Sequence, residues 1–331
     1  MPQPIGRSIV RLGYQIPDFN YGGAVAEIFP TVIAQAREAE RAGFDTVFLT
    51  DHFYQRFGPP HGPTLEAYTA LGGLAAATAT VKLSTLVTGN TYRNPALLAK
   101  MITTLDVMSG GRAVLGLGAG WLELEHKSYG FEFGSVSDRF DRLDEALRII
   151  RPMLQGSRPS LDGTWYRVEN AINEPRVRDD LPIMLGGAGE KKTFALAARH
   201  ADHLSIGCDA VDLPRKLDAL RQRCEEIGRD RATLDVSYLA FVAIAETSEL
   251  AHRTVDEMFA TRVKDPARAE QVRASMAGKL FIGDPEEVAD QLRDRILRHG
   301  VDGLIVNMVA NGHEPGVLEL AGKALGPLLK P

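Results

Sequence analysis

The chain has 331 residues, 44% of them apolar and 24% charged, the balance of an ordinary water-soluble globular protein. A formal net charge of −5 supplies no basic field for nucleic acid or anionic lipid. No apolar run approaches the roughly 18 residues of a membrane span, and Met1-Pro2-Gln3-Pro4 lacks the basic-then-apolar pattern of a signal peptide, so a cytoplasmic setting is expected. The two cysteines, Cys208 and Cys224, have fifteen residues between them, which fits neither a disulfide framework nor a zinc site.

Strand and helix signals alternate along the chain. Ile9 to Ile16 reads as a first strand, and Ala24 to Ala42 as a helix closed by Gly43. Phe44 to Leu49 is a buried second strand, Leu65 to Thr78 an alanine-rich helix, and Val81 to Val87 a third strand. Pro95 to Met108 is a helix with proline where a missing N–H costs nothing, and Arg112 to Leu117 is the fourth strand. Ser137 to Leu154 is amphipathic, with Phe140, Leu143, Ala146, Leu147 and Ile150 at helical spacing. Gly156 to Glu174 reads as a hairpin excursion. Strands at Pro182 to Leu185, His203 to Ile206 and Leu234 to Ile244 follow, with helices at Lys191 to Arg199 and Leu213 to Ile227. A long polar helical region, Ser248 to Met276, interrupts the rhythm before a helix at Pro285 to Arg298 and an eighth strand at Gly303 to Asn307. Val317 to Leu329 closes the chain.

Eight strands alternating with helices can close as a barrel or lie as an open doubly wound sheet. An open dinucleotide-binding sheet calls for a phosphate fingerprint after strand one, and Pro17 to Gly23 is none. The glycine loops come later, at Val114-Leu115-Gly116-Leu117-Gly118-Ala119-Gly120-Trp121 and Ile183-Met184-Leu185-Gly186-Gly187-Ala188-Gly189. The expected fold is a single (β/α)8 barrel spanning residues 1–331, with excursions near 121–134, 156–182 and 248–279. Two glycine loops on adjacent strand ends suit a flat or anionic group lying across them, the second loop offering N–H groups at a helix start to a phosphate, with Lys191 and Lys192 adding charge. Plain turn chemistry is the competing reading.

Thr50-Asp51-His52-Phe53 ends strand two, on the face where barrels place their active sites. An imidazole there can move a proton near neutral pH; the competing reading is a loop histidine held by its neighbours. Tyr92, Arg93 and Trp121 suit a pocket lining, and Glu123 and Glu125 flank the same mouth. No histidine pair has metal-ligand spacing, so no metal is expected. With no nucleophile elbow or phosphate-loop lysine motif either, the hard chemistry falls to a bound cofactor.

These motifs resemble the bacterial luciferase-like flavin barrels. The resemblance runs through Ala39-Glu40-Arg41-Ala42-Gly43-Phe44-Asp45, Thr50-Asp51-His52-Phe53, Tyr92-Arg93-Asn94-Pro95-Ala96 and Thr104 to Arg112. It continues through Gly116 to Trp121, Glu125, Gly130, Arg139 and Glu145, Leu185 to Gly189, and Phe281-Ile282-Gly283-Asp284-Pro285-Glu286-Glu287-Val288. It is most similar to the branch that uses the deazaflavin coenzyme F420. The resemblance implies an F420-dependent oxidoreductase moving hydride to or from a small organic substrate, in a homodimer. Asp51 and His52 would flank the ring, with His52 catalytic. A non-prolyl cis bond at Thr85-Leu86 would lie behind the ring, and Thr88 would contact it. Ala119, Gly120, Gly186, Gly187, Ala188 and Gly189 would hold the phosphate, and Tyr14, Tyr92 and Trp121 would line the substrate pocket. Sugar-phosphate dehydrogenases of this kind carry a carboxylate where this chain has Trp121, which speaks against sugar-phosphate oxidation. The alternatives are an FMN-dependent monooxygenase fed by a partner flavin reductase, and a non-catalytic flavin-binding relative.

Overall fold

The computed structural model describes residues 9–56, 61–263 and 265–329; Met1 to Pro4 lies outside them. Eight barrel strands run parallel: β1 (Leu12–Ile16), β2 (Thr46–Leu49), β3 (Lys82–Thr85), β4 (Leu115–Gly118), β5 (Ile183–Gly186), β6 (His203–Ile206), β7 (Asp235–Ile244) and β8 (Gly303–Asn307). β1 pairs with β2 and β8, β8 with β7, and the ladder continues through β6 and β5 to β4. The ring meets where Leu83 bridges Ala113, its N–H donating to the Arg112 carbonyl at 2.9 Å and its carbonyl accepting from Val114 at 3.0 Å. The fold is thus a nearly closed α/β barrel.

The strands are near-continuous apolar runs because helices cover their outer faces. Helix α1 (Ile28–Arg41) turns Ile28, Val32, Ala36 and Ala39 inward at helical spacing. Helix α2 (Ala67–Ala77) is followed by α3 (Pro95–Ser109), whose Asn94 side chain accepts the N–H groups of Ala96 and Leu97 and whose C-cap Gly110 stands at φ 68°. The remaining barrel helices, α5 (Val136–Leu154), α6 (Thr193–His200), α7 (Leu213–Glu225), α10 (Pro285–Arg295) and α11 (Val317–Leu325), continue the layer.

The three excursions have structure of their own. The first holds α4 (Glu123–Tyr129) and the second a two-stranded antiparallel hairpin, Leu161–Asp162 with Arg167–Val168. In the third, the long polar region divides into α8 (Ser248–Arg262) and α9 (Pro266–Met276), the proline starting the second helix. Beyond it lies a ninth parallel strand absent from the sequence reading: Leu280–Gly283 pairs with the distal half of β7, Phe241 opposite Leu280.

Strand three carries the feature that shapes the barrel mouth. β3 pairs with β2 as far as Leu49 opposite Thr85, and the chain resumes as Thr88–Gly89, paired on the other side with Leu117 and Gly118 of β4. The peptide bond between is cis, at Leu86-Val87 and not at Thr85-Leu86. The physical reason for the one-residue correction is that the Leu86 N–H still donates to the Leu49 carbonyl at 2.9 Å, so the chain belongs to the ladder up to that amide. The bulge turns into the barrel, and glycines make room for it. A Cβ on Gly116 would run into the Thr85 carbonyl oxygen; one on Gly118 or Gly186 would stand 2.8 or 2.7 Å from Val87. Three of the glycines at the strand ends therefore face protein.

Replacing Gly116 with alanine is expected to destabilise the protein by about 1–3 kcal/mol or more, because the colliding atom is backbone and cannot swing away. Gly72→Ala in α2 is the control. Its Cβ meets nothing closer than the Met108 side chain at 3.5 Å, and losing a helical glycine should stabilise by roughly 0.5–1 kcal/mol. Equilibrium denaturation of both variants checks the sign of each.

Candidate active site

A cavity of about 500 Å³ opens at the C-terminal ends of the strands. Leu86, Val87 and Leu239, which pack on the barrel-filling cluster of Phe48, Val114, Met184 and Ile305, form its apolar floor. Asp51, His52, Tyr92, Trp121 and Arg139 bring the polar and aromatic groups. A larger cavity of about 1,060 Å³ lies at the opposite, N-terminal face. It is lined by surface charges such as Arg11, Lys82 and Arg178 and holds no histidine. Barrel catalysis is built from the loops at the C-terminal ends of strands, which selects the smaller cavity.

His52 is held by a carboxylate the sequence did not single out for this role. Glu125, on α4 and fully buried, places its two oxygens 3.2 and 3.0 Å from His52 Nδ1. The same carboxylate accepts the N–H groups of Phe53 at 2.7 Å and Tyr54 at 3.1 Å, and the Tyr92 hydroxyl at 2.5 Å. Burial alone would push its pKa up, but the hydrogen bonds from His52, Tyr92 and the Tyr54 amide prevail and hold it below the ordinary carboxylate range. Burial and the adjacent carboxylate push the Tyr92 hydroxyl well above its ordinary value, so it stays a donor.

Asp51, the neighbour of His52, takes a different partner. Arg93 grips it with two hydrogen bonds, 2.7 and 2.9 Å, and reaches Glu66 at 2.7 Å with the same guanidinium. Burial disfavours the Arg93 charge, but Asp51 outweighs that and raises its pKa, so the guanidinium stays charged; burial likewise raises the Asp51 pKa above the ordinary carboxylate value, and the two Arg93 hydrogen bonds offset only part of that rise. Asp51 and His52 do not hydrogen-bond to each other, because successive residues leaving a strand diverge.

The other expected site residues divide. Leu86, Thr88, Gly120, Gly186 and Gly187 line the cavity, with Ala119, Tyr92 and Trp121. Thr85 lies beneath the bulge, its hydroxyl bonded to the Gly116 carbonyl at 3.1 Å and 2.7 Å from the Thr88 hydroxyl. Ala188 and Gly189 sit behind the lining: the Ala188 carbonyl accepts from Lys216 at 2.8 Å and the Gly189 carbonyl from the Phe194 amide at 3.1 Å. The Gly187 N–H is committed to the Ser205 carbonyl at 3.0 Å. Lys192, 2.9 Å from the Ser137 hydroxyl, stands at that helix start. Trp121 is 57% exposed; its ring meets His52 edge-on at 5.8 Å, and the Arg56 guanidinium lies 4.4 Å over it.

Tyr14 does not belong to the pocket. It is fully buried in the outer core, its hydroxyl donating to Gln35 of α1 at 2.7 Å. β1 alternates, and it is Gly13 and Gln15 that face the barrel interior: Gly13 abuts Phe48, and the Gln15 amide donates to the Leu86 carbonyl at 3.2 Å. His126, the residue after Glu125 on α4, is a structural pin, its Nδ1 2.8 Å from the Leu122 carbonyl and its Nε2 2.7 Å from the Thr91 hydroxyl. Among the described residues no cluster of three or more His, Cys, Asp or Glu side chains is arranged to hold a metal ion.

Residues 10–303 match the luciferase-like monooxygenase family. The chain belongs to that family. An F420-dependent glucose-6-phosphate dehydrogenase of Nakamurella multipartita is 30% identical over 94% of this chain and 96% of its own length. A protein of the same description from Microbacterium testaceum is 37% identical, over 60% of this chain and 59% of its own length. Among solved structures, an F420-dependent secondary alcohol dehydrogenase in complex with an F420–acetone adduct superposes with a TM-score of 0.79 over 97% of this chain and 99% of its own, at 21% identity, which speaks to the luciferase-like barrel fold alone.

Removing the Arg93 cation should strand a buried carboxylate. Arg93→Met is expected to cost about 3–5 kcal/mol of stability, and adding Asp51→Asn to recover a large part of it. A double-mutant cycle by denaturation measures this; strictly additive losses would show that the two groups are not coupled.

Proposed function

We propose that this luciferase-like protein is an F420-dependent oxidoreductase of a small organic substrate, one barrel domain per protomer. What carries the reading is the pairing of an apolar-floored cavity with a single histidine at its wall, in a chain whose nearly full-length relative is F420-dependent. The cavity's size lies within the range of cofactor pockets. Its fit to a flat ring with a phosphate tail rests on the Leu86-Val87 floor and on Gly120 and Gly187. Both glycines line the cavity and have positive φ, 78° and 140°. The amides beyond Gly187 and the Lys192 ammonium would hold the phosphate.

When bound, the deazaflavin supplies or accepts the hydride. The chain's own task is then to hold the substrate against the ring, exclude water and move one proton. His52 is the group for the proton: Asp51 is locked to Arg93, Glu125 is buried behind the imidazole, and Tyr92 donates to Glu125. Trp121, Val136 and Phe140 add apolar wall beside Arg139, and the one carboxylate among the described lining residues, Asp51, is taken by Arg93. That lining supports a substrate other than a sugar phosphate.

The protein is further proposed to work as a homodimer in the cytoplasm. α3 leaves Leu97, Val107 and Met108 uncovered, an apolar patch that a second copy would bury. Both cysteines are free and buried, and no helix among the described residues is long and apolar enough to cross a membrane.

Fluorescence quenching on titration with oxidised F420 and, separately, with FMN tests the cofactor. F420 is expected to bind, and Gly187→Val to weaken it. Binding of FMN alone would favour the monooxygenase reading with its partner reductase, and binding of neither the non-catalytic one. His52→Ala should lower turnover by about 10²–10⁴-fold with cofactor affinity far less affected; near-normal turnover would exclude the proton-transfer role. Glucose 6-phosphate and small neutral alcohols and ketones are the substrates to compare.

A further inference from the structure

We infer that Glu125 is the positioning residue of this site: it fixes neutral His52 as the Nδ1–H tautomer and so presents an unprotonated Nε2 to the cavity. The inference deepens the proton-handling reading of His52 and rests on it for its catalytic consequence only. A neutral imidazole carries one N–H, and which nitrogen bears it is set by the partner of the other. Here Nδ1 has both oxygens of one carboxylate within 3.0 and 3.2 Å. A carboxylate only accepts, and the hydrogen bonds that hold Glu125 below the ordinary range keep it ionised. The opposite tautomer would set the Nδ1 lone pair against the oxygen lone pairs of a fully buried carboxylate.

The carboxylate cannot turn to relieve such a clash. Oε1 is pinned by the Phe53 and Tyr54 amides, and Oε2 by the Tyr92 hydroxyl. The donors come from the loop after β2 and from the turn after strand three, while Glu125 comes from α4, so three segments converge on one side chain. The imidazole is further fenced by the Trp121 ring, edge-on at 5.8 Å. Glu123, two residues earlier, shows what this burial adds: it is exposed and pairs only with Lys127 of its own helix.

The arrangement makes a sharp prediction for Glu125→Gln. The two backbone N–H groups hold a carbonyl oxygen at the Oε1 position, which forces the new NH₂ group to the Oε2 position, facing His52 Nδ1. A donor there requires Nδ1 to accept, so the imidazole proton moves to Nε2. The side chain keeps its shape, and the backbone hydrogen bonds survive.

The test is a long-range ¹H–¹⁵N correlation spectrum of the cofactor-free protein with labelled histidine, at a pH where the ring is neutral. The His52 signals are identified by their loss in His52→Gln. The wild type is expected to show Nδ1 protonated and Nε2 bare, Glu125→Gln the reverse, and Tyr92→Phe the wild-type pattern. A wild-type Nε2–H tautomer, or an unchanged tautomer in Glu125→Gln, would overturn the inference. A merely structural glutamate would leave the tautomer where it was. Turnover of Glu125→Gln should fall by about 10²–10⁴-fold with F420 affinity little changed. Absence of F420 binding in the wild type would count against the functional reading but not against the tautomer, so the two fail separately.

Discussion

The Val87 side chain occupies the volume that Gly118 and Gly186 leave open, and the Thr85 carbonyl occupies the volume left by Gly116. The rest of the mouth depends on that interlock. It lets strand three leave β2, cross into the barrel and rejoin the sheet against β4, so that Leu86 and Val87 close the barrel from above as an apolar floor. The chain Asn307–Gln15–Leu86 braces the same turn from below, the Asn307 amide donating to Gln15 at 2.8 Å and the Gln15 amide to the Leu86 carbonyl.

Around that floor the charges are arranged so that one titratable group is left for chemistry. Two buried carboxylates flank the second strand's end, and each is neutralised in a different way. Asp51 has an arginine bound to both of its oxygens. Glu125 has the imidazole, a tyrosine hydroxyl and two backbone amides, so its charge is felt by the imidazole it touches. Exchanging these partners would leave the histidine without an orienting group. The separation follows from the divergence of adjacent side chains at a strand end, and from the two loops that deliver Arg93 and α4 to opposite sides.

Much of this was legible in the sequence. The eight barrel strands, the capped helix at Pro95 and the placement of His52 at a strand end follow from apolar runs, turn residues and the family resemblance. What was not legible has physical causes. β1 is buried on both faces, so nothing in Leu12-Gly13-Tyr14-Gln15-Ile16 tells which residues face the barrel; the glycine and glutamine look like the outer set and are the inner one. Glu123 and Glu125 look alike in the sequence, and only the packing of α4 buries one and exposes the other. The glycines at the strand ends read as room for a ligand, whereas at Gly116, Gly118 and Gly186 that room is taken by the chain itself. The strand at Leu280–Gly283 is four residues long and runs into a capped helix, so it reads as a lead-in.

The most direct measurement is a crystal structure of the protein with oxidised F420. The expected result is a ring lying on Leu86 and Val87 with His52 Nε2 turned toward it, and a phosphate against the amides that follow Gly187. A ring seated anywhere else, at the N-terminal cavity above all, or one that faces His52 with Nδ1 released from Glu125, would contradict the assignment of this site.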